Sequence, residues 1–448
     1  MTTRRSTIYY LIVGGFLLLA GNLRAHAQEF DWGRMERWRP DYPYDEDMGY
    51  RLLDVLSRYS SNSKSSYRLL PQIAFGPNIS LGEKTVLGLD GIANLIPDYN
   101  QIDGVWLGYE VQLSHRLDKG RKLMFRSSQN YTTTTKKWFS ENNILYYHSP
   151  MRDGLLILSG GRTSRETVHM APYELFTEQF VGLLGNNSHI RHYAKWYGAI
   201  RHKLYLTPRL RYTVLAQWEV REPHMADDPI HLRHRSFVSE AGLVYSLTHT
   251  DPYIKVFPSP IVMPAGQGGL EIGLTLRSAI PLSKRETQIY SDYKMWEAYA
   301  RTARTIAPDH KVDITALAGG FWDQRWQSLS DMKHFARTGI FGRNNFSEAW
   351  NTLPDEWMGT SRWFATSANY WSNSFFISRL MAIDEALHFR SLHLPKGQTY
   401  LEAGYSIGFG RMGRMGLFLW GDLVHQMQMS LKVSLPFIFL VSTWSERY

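Results

Sequence analysis

Val105-Trp106-Leu107-Gly108-Tyr109-Glu110-Val111-Gln112-Leu113-Ser114 is the stretch that decides the fold. Val105, Leu107, Tyr109, Val111 and Leu113 share one face of an extended chain, and the other face is mostly small or polar. Successive side chains of a strand point to opposite sides, so strict alternation over ten residues marks a half-buried strand. Tyr212, Val214, Ala216, Trp218 and Val220 alternate in the same way with Arg211, Thr213, Gln217 and Glu219. Leu270, Ile272, Leu274 and Leu276 alternate with Glu271, Gly273, Thr275 and Arg277. Leu401, Ala403, Tyr405, Ile407 and Phe409 alternate with Glu402, Gly404, Ser406 and Gly408. Met427, Met429, Leu431, Val433, Leu435 and Phe437 alternate with Gln428, Ser430, Lys432, Ser434 and Pro436.

Working outward, strand candidates fall at 103–116, 121–134, 136–148, 154–164, 190–206, 210–222, 235–248, 267–281, 289–305, 310–322, 360–371, 373–392, 398–409, 411–424 and 426–437. They exceed the roughly 5–6 residues of ordinary strands and reach the roughly 9–11 that cross a bilayer at a tilt. Their second face carries Glu, Arg, Lys, Gln, Ser and Gly, as a polar lumen would. An exported chain with such strands must close its sheet edges, and in lipid closure is obligatory. The expected fold is therefore all-β, a transmembrane antiparallel β-barrel of about 16 strands (14–16) over 70–448, with a secreted β-sandwich as the rival. The gaps at 165–189, 222–234, 249–266 and 323–359 read as extracellular loops. Trp138, Phe139, Tyr146, Tyr147, Phe321, Trp322, Trp363, Phe364, Tyr370 and Trp371 read as interfacial girdles.

Composition agrees. With 44% hydrophobic and 20% charged residues, the 448-residue chain is too apolar for disorder. A mean hydropathy of −0.33 excludes a bundle of membrane helices. The lack of cysteine excludes disulfides, Cys–zinc sites, thiol nucleophiles and a lipid-anchored N-terminal Cys. Residues 1–27 read as a signal peptide: Arg4 and Arg5, then apolar Ile8–Ala20, then Ala25-His26-Ala27 for cleavage. They hold three Arg and no acid, so the formal charge of +9 falls to +6 in the mature chain. No basic run marks a nucleic-acid arm. Residues 28–69 read as a periplasmic segment and linker with one short amphipathic helix around Leu52–Tyr59. Met427–Phe437 ends in an aromatic, like the C-terminal signal of outer-membrane proteins.

Several short pieces resemble an uncharacterised Gram-negative outer-membrane barrel family that often follows a carboxypeptidase-regulatory-like domain. They are Tyr99-Asn100-Gln101-Ile102-Asp103-Gly104; Leu183-Leu184-Gly185-Asn186-Asn187 with Tyr193-Ala194-Lys195-Trp196-Tyr197; Arg221-Glu222-Pro223 with Asp227-Asp228; and Asp384-Glu385-Ala386-Leu387-His388 with Tyr400-Leu401-Glu402-Ala403-Gly404. The resemblance spans about 70–437 and departs in the expected absence of the regulatory-like domain. It implies no catalytic residues. A more distant similarity to outer-membrane insertase and surface-antigen barrels implies envelope assembly or export, by analogy alone.

Lumen-facing candidates are Glu110, Arg211, Glu219, Glu271, Arg277, Asp313, Glu402 and Lys432, whose mixed signs suit salt bridges across the wall or a conduction path. The cluster of Arg221, Glu222, His224, Asp227, Asp228, His231, Arg233, His234 and Arg235 lacks zinc spacing and reads as a solvated loop. A barrel hydrolase would need a Ser beside a His on a neighbouring strand, and His388 and His425, with Ser378 and Ser430 nearby, are the candidates. The glycines of 404–416 read as bends in curved strands. The expectation is a non-enzymatic channel, translocation or assembly component of the cell outer membrane. No cofactor, metal or nucleic acid is expected. The expected partners are outer-membrane lipid and envelope proteins or polysaccharide. A lumen open at both ends favours the channel reading. A surface structural or binding barrel is the alternative, favoured by a plugged lumen with exposed Trp and Tyr in 323–359. A hydrolase is the third reading, favoured by a Ser–His pair at the lipid-facing rim.

Overall fold

The computed structural model describes residues 78–89, 98–100, 102–149, 152–166, 192–207, 209–223, 234–247, 253–256, 259–262, 269–281, 291–307, 310–327, 331–335, 349–354, 357–372, 383–409, 414–422 and 428–434. The expected leader and the 28–69 segment lie outside them. So do Ser378, His425, Leu183–Asn187, His224, Asp227, Asp228, His231 and Arg233.

Three short strands open the sheet: β1 (Asn78–Ser80), β2 (Thr85–Leu89) and β3 (Asp98–Asn100). Then come β4 (Gly104–Arg116), β5 (Lys122–Thr132), β6 (Trp138–Ser149), β7 (Gly154–Glu166), β8 (His192–Thr207), β9 (Leu210–Pro223) and β10 (His234–Ser246). A separate hairpin, β11 (Tyr253–Val256) and β12 (Ser259–Val262), interrupts the series. It resumes with β13 (Leu270–Pro281), β14 (Asp292–Ala307), β15 (His310–Trp326), β16 (Arg362–Ser372), β17 (Asp384–His393), β18 (Thr399–Gly408), β19 (Arg414–Asp422) and β20 (Gln428–Ser434). Eighteen of these strands form one sheet. From β4 to β20 every sheet strand pairs antiparallel with the next in sequence, with β10 pairing β13 across the hairpin. The fifteen expected strands each correspond to one of these. β2 and β3 pair with successive stretches of the same edge of β4, so they act as one interrupted strand. With that strand counted once, and the three-residue β1 that pairs with β2 set aside, sixteen traverse the sheet.

The polarity of the two faces identifies the solvent. On β5, Met124, Arg126, Ser128, Asn130 and Thr132 are buried while Leu123, Phe125 and Tyr131 are exposed. On β19, Arg414 and Phe418 are buried while Met415, Leu417 and Leu419 are exposed. On β13, Ile272, Leu274, Leu276 and Ile280 are all exposed. A water-soluble sheet has the opposite arrangement. The described residues contain no α-helix and no second large sheet to cover the charged face. Curling of the sheet onto itself buries that face, and the outer face is apolar. This is the antiparallel transmembrane β-barrel.

Period two also corrects the girdle. Adjacent aromatics fall on opposite faces, so only one of each pair can meet lipid. Trp138, Trp322 and Phe364 are exposed, whereas Phe139, Phe321 and Trp363 are buried inside. Trp196 and Trp218 join the outer set. Strand alternation also sorts the loops. The gaps 165–189, 222–234 and 323–359 emerge at one end, which is also the end nearer these tryptophans. The 249–266 gap, grouped with them in the sequence reading, emerges at the opposite end. An odd number of strands separates it from each of the others.

Candidate functional site in the barrel interior

The long connection from β15 to β16 is anchored against the polar face. Lys333 and Gly359 exchange backbone hydrogen bonds of 3.1 and 2.9 Å, closing the connection on itself. At its start Asp331 is buried and accepts from Arg221 Nη2 of β9 at 2.9 Å and from Ser291 Oγ at 2.5 Å. Arg221 also donates to Glu219 Oε1 at 2.5 Å, and Lys195 Nζ lies 3.0 Å from Glu219 Oε2. Lys333 Nζ lies 2.7 Å from Glu297 Oε2 of β14.

The later part of the connection meets β17 and β18. Glu402 has no exposed surface. Its Oε2 accepts from the backbone N–H of Asn351 at 2.9 Å and of Thr352 at 2.8 Å, and from Thr352 Oγ1 at 2.6 Å. Its Oε1 accepts from Asn351 Nδ2 at 2.9 Å and from Arg390 Nη1 at 2.7 Å. A buried carboxylate needs this density of donors, because burial of an unpaired charge is prohibitively costly. Tyr400 Oη donates to Thr352 O at 2.7 Å, and its ring packs edge-on against Trp350 at 5.9 Å. Between these anchors Phe335, Trp350 and Leu353 pack with Val238, Tyr293, Phe321 and Leu392 into one apolar cluster. One loop is thus fastened to strands from β9 to β18.

The expected lumen residues are placed as follows. Glu110 pairs with Arg126. Arg211 lies over the Tyr205 ring at 6.0 Å. Glu271 accepts from Tyr299 Oη at 2.6 Å. Arg277 stands opposite Glu240 in the β10–β13 register. Asp313 receives Arg301 through Nε at 3.3 Å and Nη2 at 2.5 Å. Lys432 is half-buried opposite Gly416. Glu402 holds the loop directly and Glu219 supports it through Arg221, while Glu110 and Asp313 sit in ion pairs of their own. Arg221 is not in a solvated loop: β9 runs on to Pro223 and turns Arg221 inward.

The sequence reading missed Asp331, Asn351 and Thr352, which lie in a stretch with no periodicity. A second cluster joins His388, a candidate from the sequence, to Ser406 and Asn369, which were not. His388 Nε2 lies 2.8 Å from Ser406 Oγ, and His388 Nδ1 lies 2.9 Å from Asn369 Oδ1. Ser406 sits in Gly404-Tyr405-Ser406-Ile407-Gly408, a G-x-S-x-G pattern that could have drawn attention to it. Among the described residues no group of three or more His, Asp or Glu could hold a metal ion.

A family model described as "Family of unknown function (DUF5686) C-terminal domain" matches residues 71–240 and 271–407. No curated protein sequence matches the chain. Among solved structures, the chain is similar to BamA from Haemophilus ducreyi lacking POTRA domains 1–3, at 10% identity and a TM-score of 0.41, covering 85% of this chain and 82% of that one. It is similar to CdiB from Acinetobacter baumannii at 10% identity and a TM-score of 0.36, covering 75% of this chain. The match spans 58% of CdiB. The outer membrane protein OprD from Pseudomonas aeruginosa matches at 9% identity and a TM-score of 0.31, covering 78% of this chain and 90% of that one.

Proposed function

The chain belongs to the family of unknown function (DUF5686) C-terminal domain, and we propose that it is an outer-membrane barrel acting in translocation or envelope assembly, held closed by its own β15–β16 connection. The observation that carries this reading is the anchoring of that connection by Asp331, Lys333, Asn351 and Thr352 to buried partners on several strands. Buried ion pairs add little net stability over apolar residues of the same size, and their best-attested use is to specify one arrangement. The lipid partner follows from the apolar outer face, and the signal-peptide reading supplies export. The end bearing the longer loops and the outer tryptophans is the cell-surface end in this reading. Nothing in it requires catalysis. The polysaccharide-binding alternative called for a plugged lumen with exposed Trp and Tyr in 323–359. The anchored connection agrees with its first half, and among the described side chains Trp350 is buried and Trp357 is packed 5.2 Å from Tyr400.

Planar bilayers test this. The wild-type barrel is expected to stay closed most of the time. Asp331→Ala with Lys333→Ala removes two anchors, and each loss of about 1.4 kcal/mol multiplies the open population about tenfold. Equal silence from both proteins, each folded, would contradict the closed-route reading.

A further inference from the structure

We propose that Ser406, His388 and Asn369 form a latent acyl-transfer site for carboxylic esters, a function beyond the closed-route reading and independent of it. Three adjacent strands supply the residues. His388 on β17 stands opposite Asn369 on β16 and opposite Gly404 on β18, with Ser406 the diagonal neighbour. The hydrogen bonds set the protonation pattern. Asn369 Oδ1 can only accept, and Arg390 Nη2 also approaches it at 3.5 Å. Nδ1 of His388 therefore carries the proton, Nε2 presents its lone pair, and Ser406 Oγ–H donates to it at 2.8 Å. Nucleophile, base and orienting group are in the order acyl transfer needs. Arg414 Nη1 donates to Ser406 Oγ at 2.7 Å, which favours the developing alkoxide.

The step balances with water as co-reactant. Ser406 Oγ attacks the ester carbonyl carbon as Nε2 takes its proton. The tetrahedral adduct collapses, the C–O bond of the ester breaks, and the alcohol leaves with the proton from Nε2. Water then gives a proton to Nε2 and attacks the acyl-serine, releasing the carboxylic acid and restoring Ser406.

Gly404 and Gly408 flank Ser406 on the interior face. A Cβ on Gly404 would stand 2.2 Å from the Phe418 ring, so that ring fills the space this glycine leaves. The Phe418 ring centroid also lies 5.8 Å from that of His388. Ser406 and Phe418 are both fully buried, so the site is closed in this conformation, with Phe418 as its cap. The G-x-S-x-G pattern here lies within a strand rather than at a strand-to-helix elbow, so the motif alone does not carry the assignment. The three-strand geometry does.

The test uses the full chain refolded in detergent, with a fluorophosphonate probe and a short-chain p-nitrophenyl ester. Heat-modifiable mobility verifies folding of every variant. Wild-type protein is expected to be labelled at Ser406, and Phe418→Ala faster. Ser406→Ala abolishes labelling, and His388→Gln slows it about 100-fold or more. Asn369→Ala, a positioning change, lowers kcat for the ester and leaves KM unchanged. Absence of labelling in both folded wild type and folded Phe418→Ala overturns the proposal. So does equal labelling of wild type and His388→Gln, which would show a serine with no base behind it.

Discussion

Glu402→Ala is expected to destabilise the refolded barrel by about 3–5 kcal/mol, the scale for removing one partner of a buried ion pair. The loss reaches further than one contact. The carboxylate is wholly buried and takes five donors, from Arg390, Asn351 and Thr352. Without it, the Arg390 guanidinium loses its carboxylate partner in a dry site. Two backbone N–H groups of the connection lose their acceptor. The urea midpoint of the heat-modifiable form is the readout, with an unchanged slope showing that the unfolded reference is the same. Glu402→Gln keeps an acceptor but loses the charge, so it should fall between wild type and alanine. A loss below about 1 kcal/mol would mean the pair is exposed to water, on the scale of surface bridges. The account of the anchored connection would then fail.

Leu274→Arg is expected to cost about 2–4 kcal/mol when the barrel folds into lipid, and Ile280→Arg only about 0–1. Leu274 lies mid-strand on β13 with 40% of its surface exposed, and Ile280 lies near the strand end. In water an exposed leucine replaced by arginine changes little. A large, depth-dependent penalty thus arises only if hydrocarbon covers this face. Urea titrations in lipid vesicles measure both variants, and equal small penalties would place the face in water.

The strands were legible because lipid on one side and a polar interior on the other impose a period of two, and residues 105–114 alone display it. The short pieces β1, β2 and β3 were not legible, since three to five residues are too few to show a period. The acidic residues Glu219 and Glu402 could be picked out because a charge at every second position faces inward. Their partners could not. Asp331, Asn351 and Thr352 come from a connection with no repeat, and what pairs them is tertiary placement. His388 was noticed, but beside Ser378 and Ser430, its neighbours in sequence. The serine that meets it, Ser406, lies eighteen residues on and arrives through register, which sequence does not display. The paired aromatics misled for the opposite reason: composition showed a cluster, and alternation divided it between lipid and interior.

The chain contains no cysteine, so single cysteines can be introduced one at a time along β13 and labelled with an environment-sensitive fluorophore in lipid vesicles. The barrel predicts that labels at Ile272, Leu274 and Leu276 are quenched by brominated acyl chains. Labels at Glu271, Gly273, Thr275 and Arg277 should not be, giving a signal that alternates residue by residue. A flat profile, or labels all reached by an aqueous quencher, would contradict a transmembrane sheet.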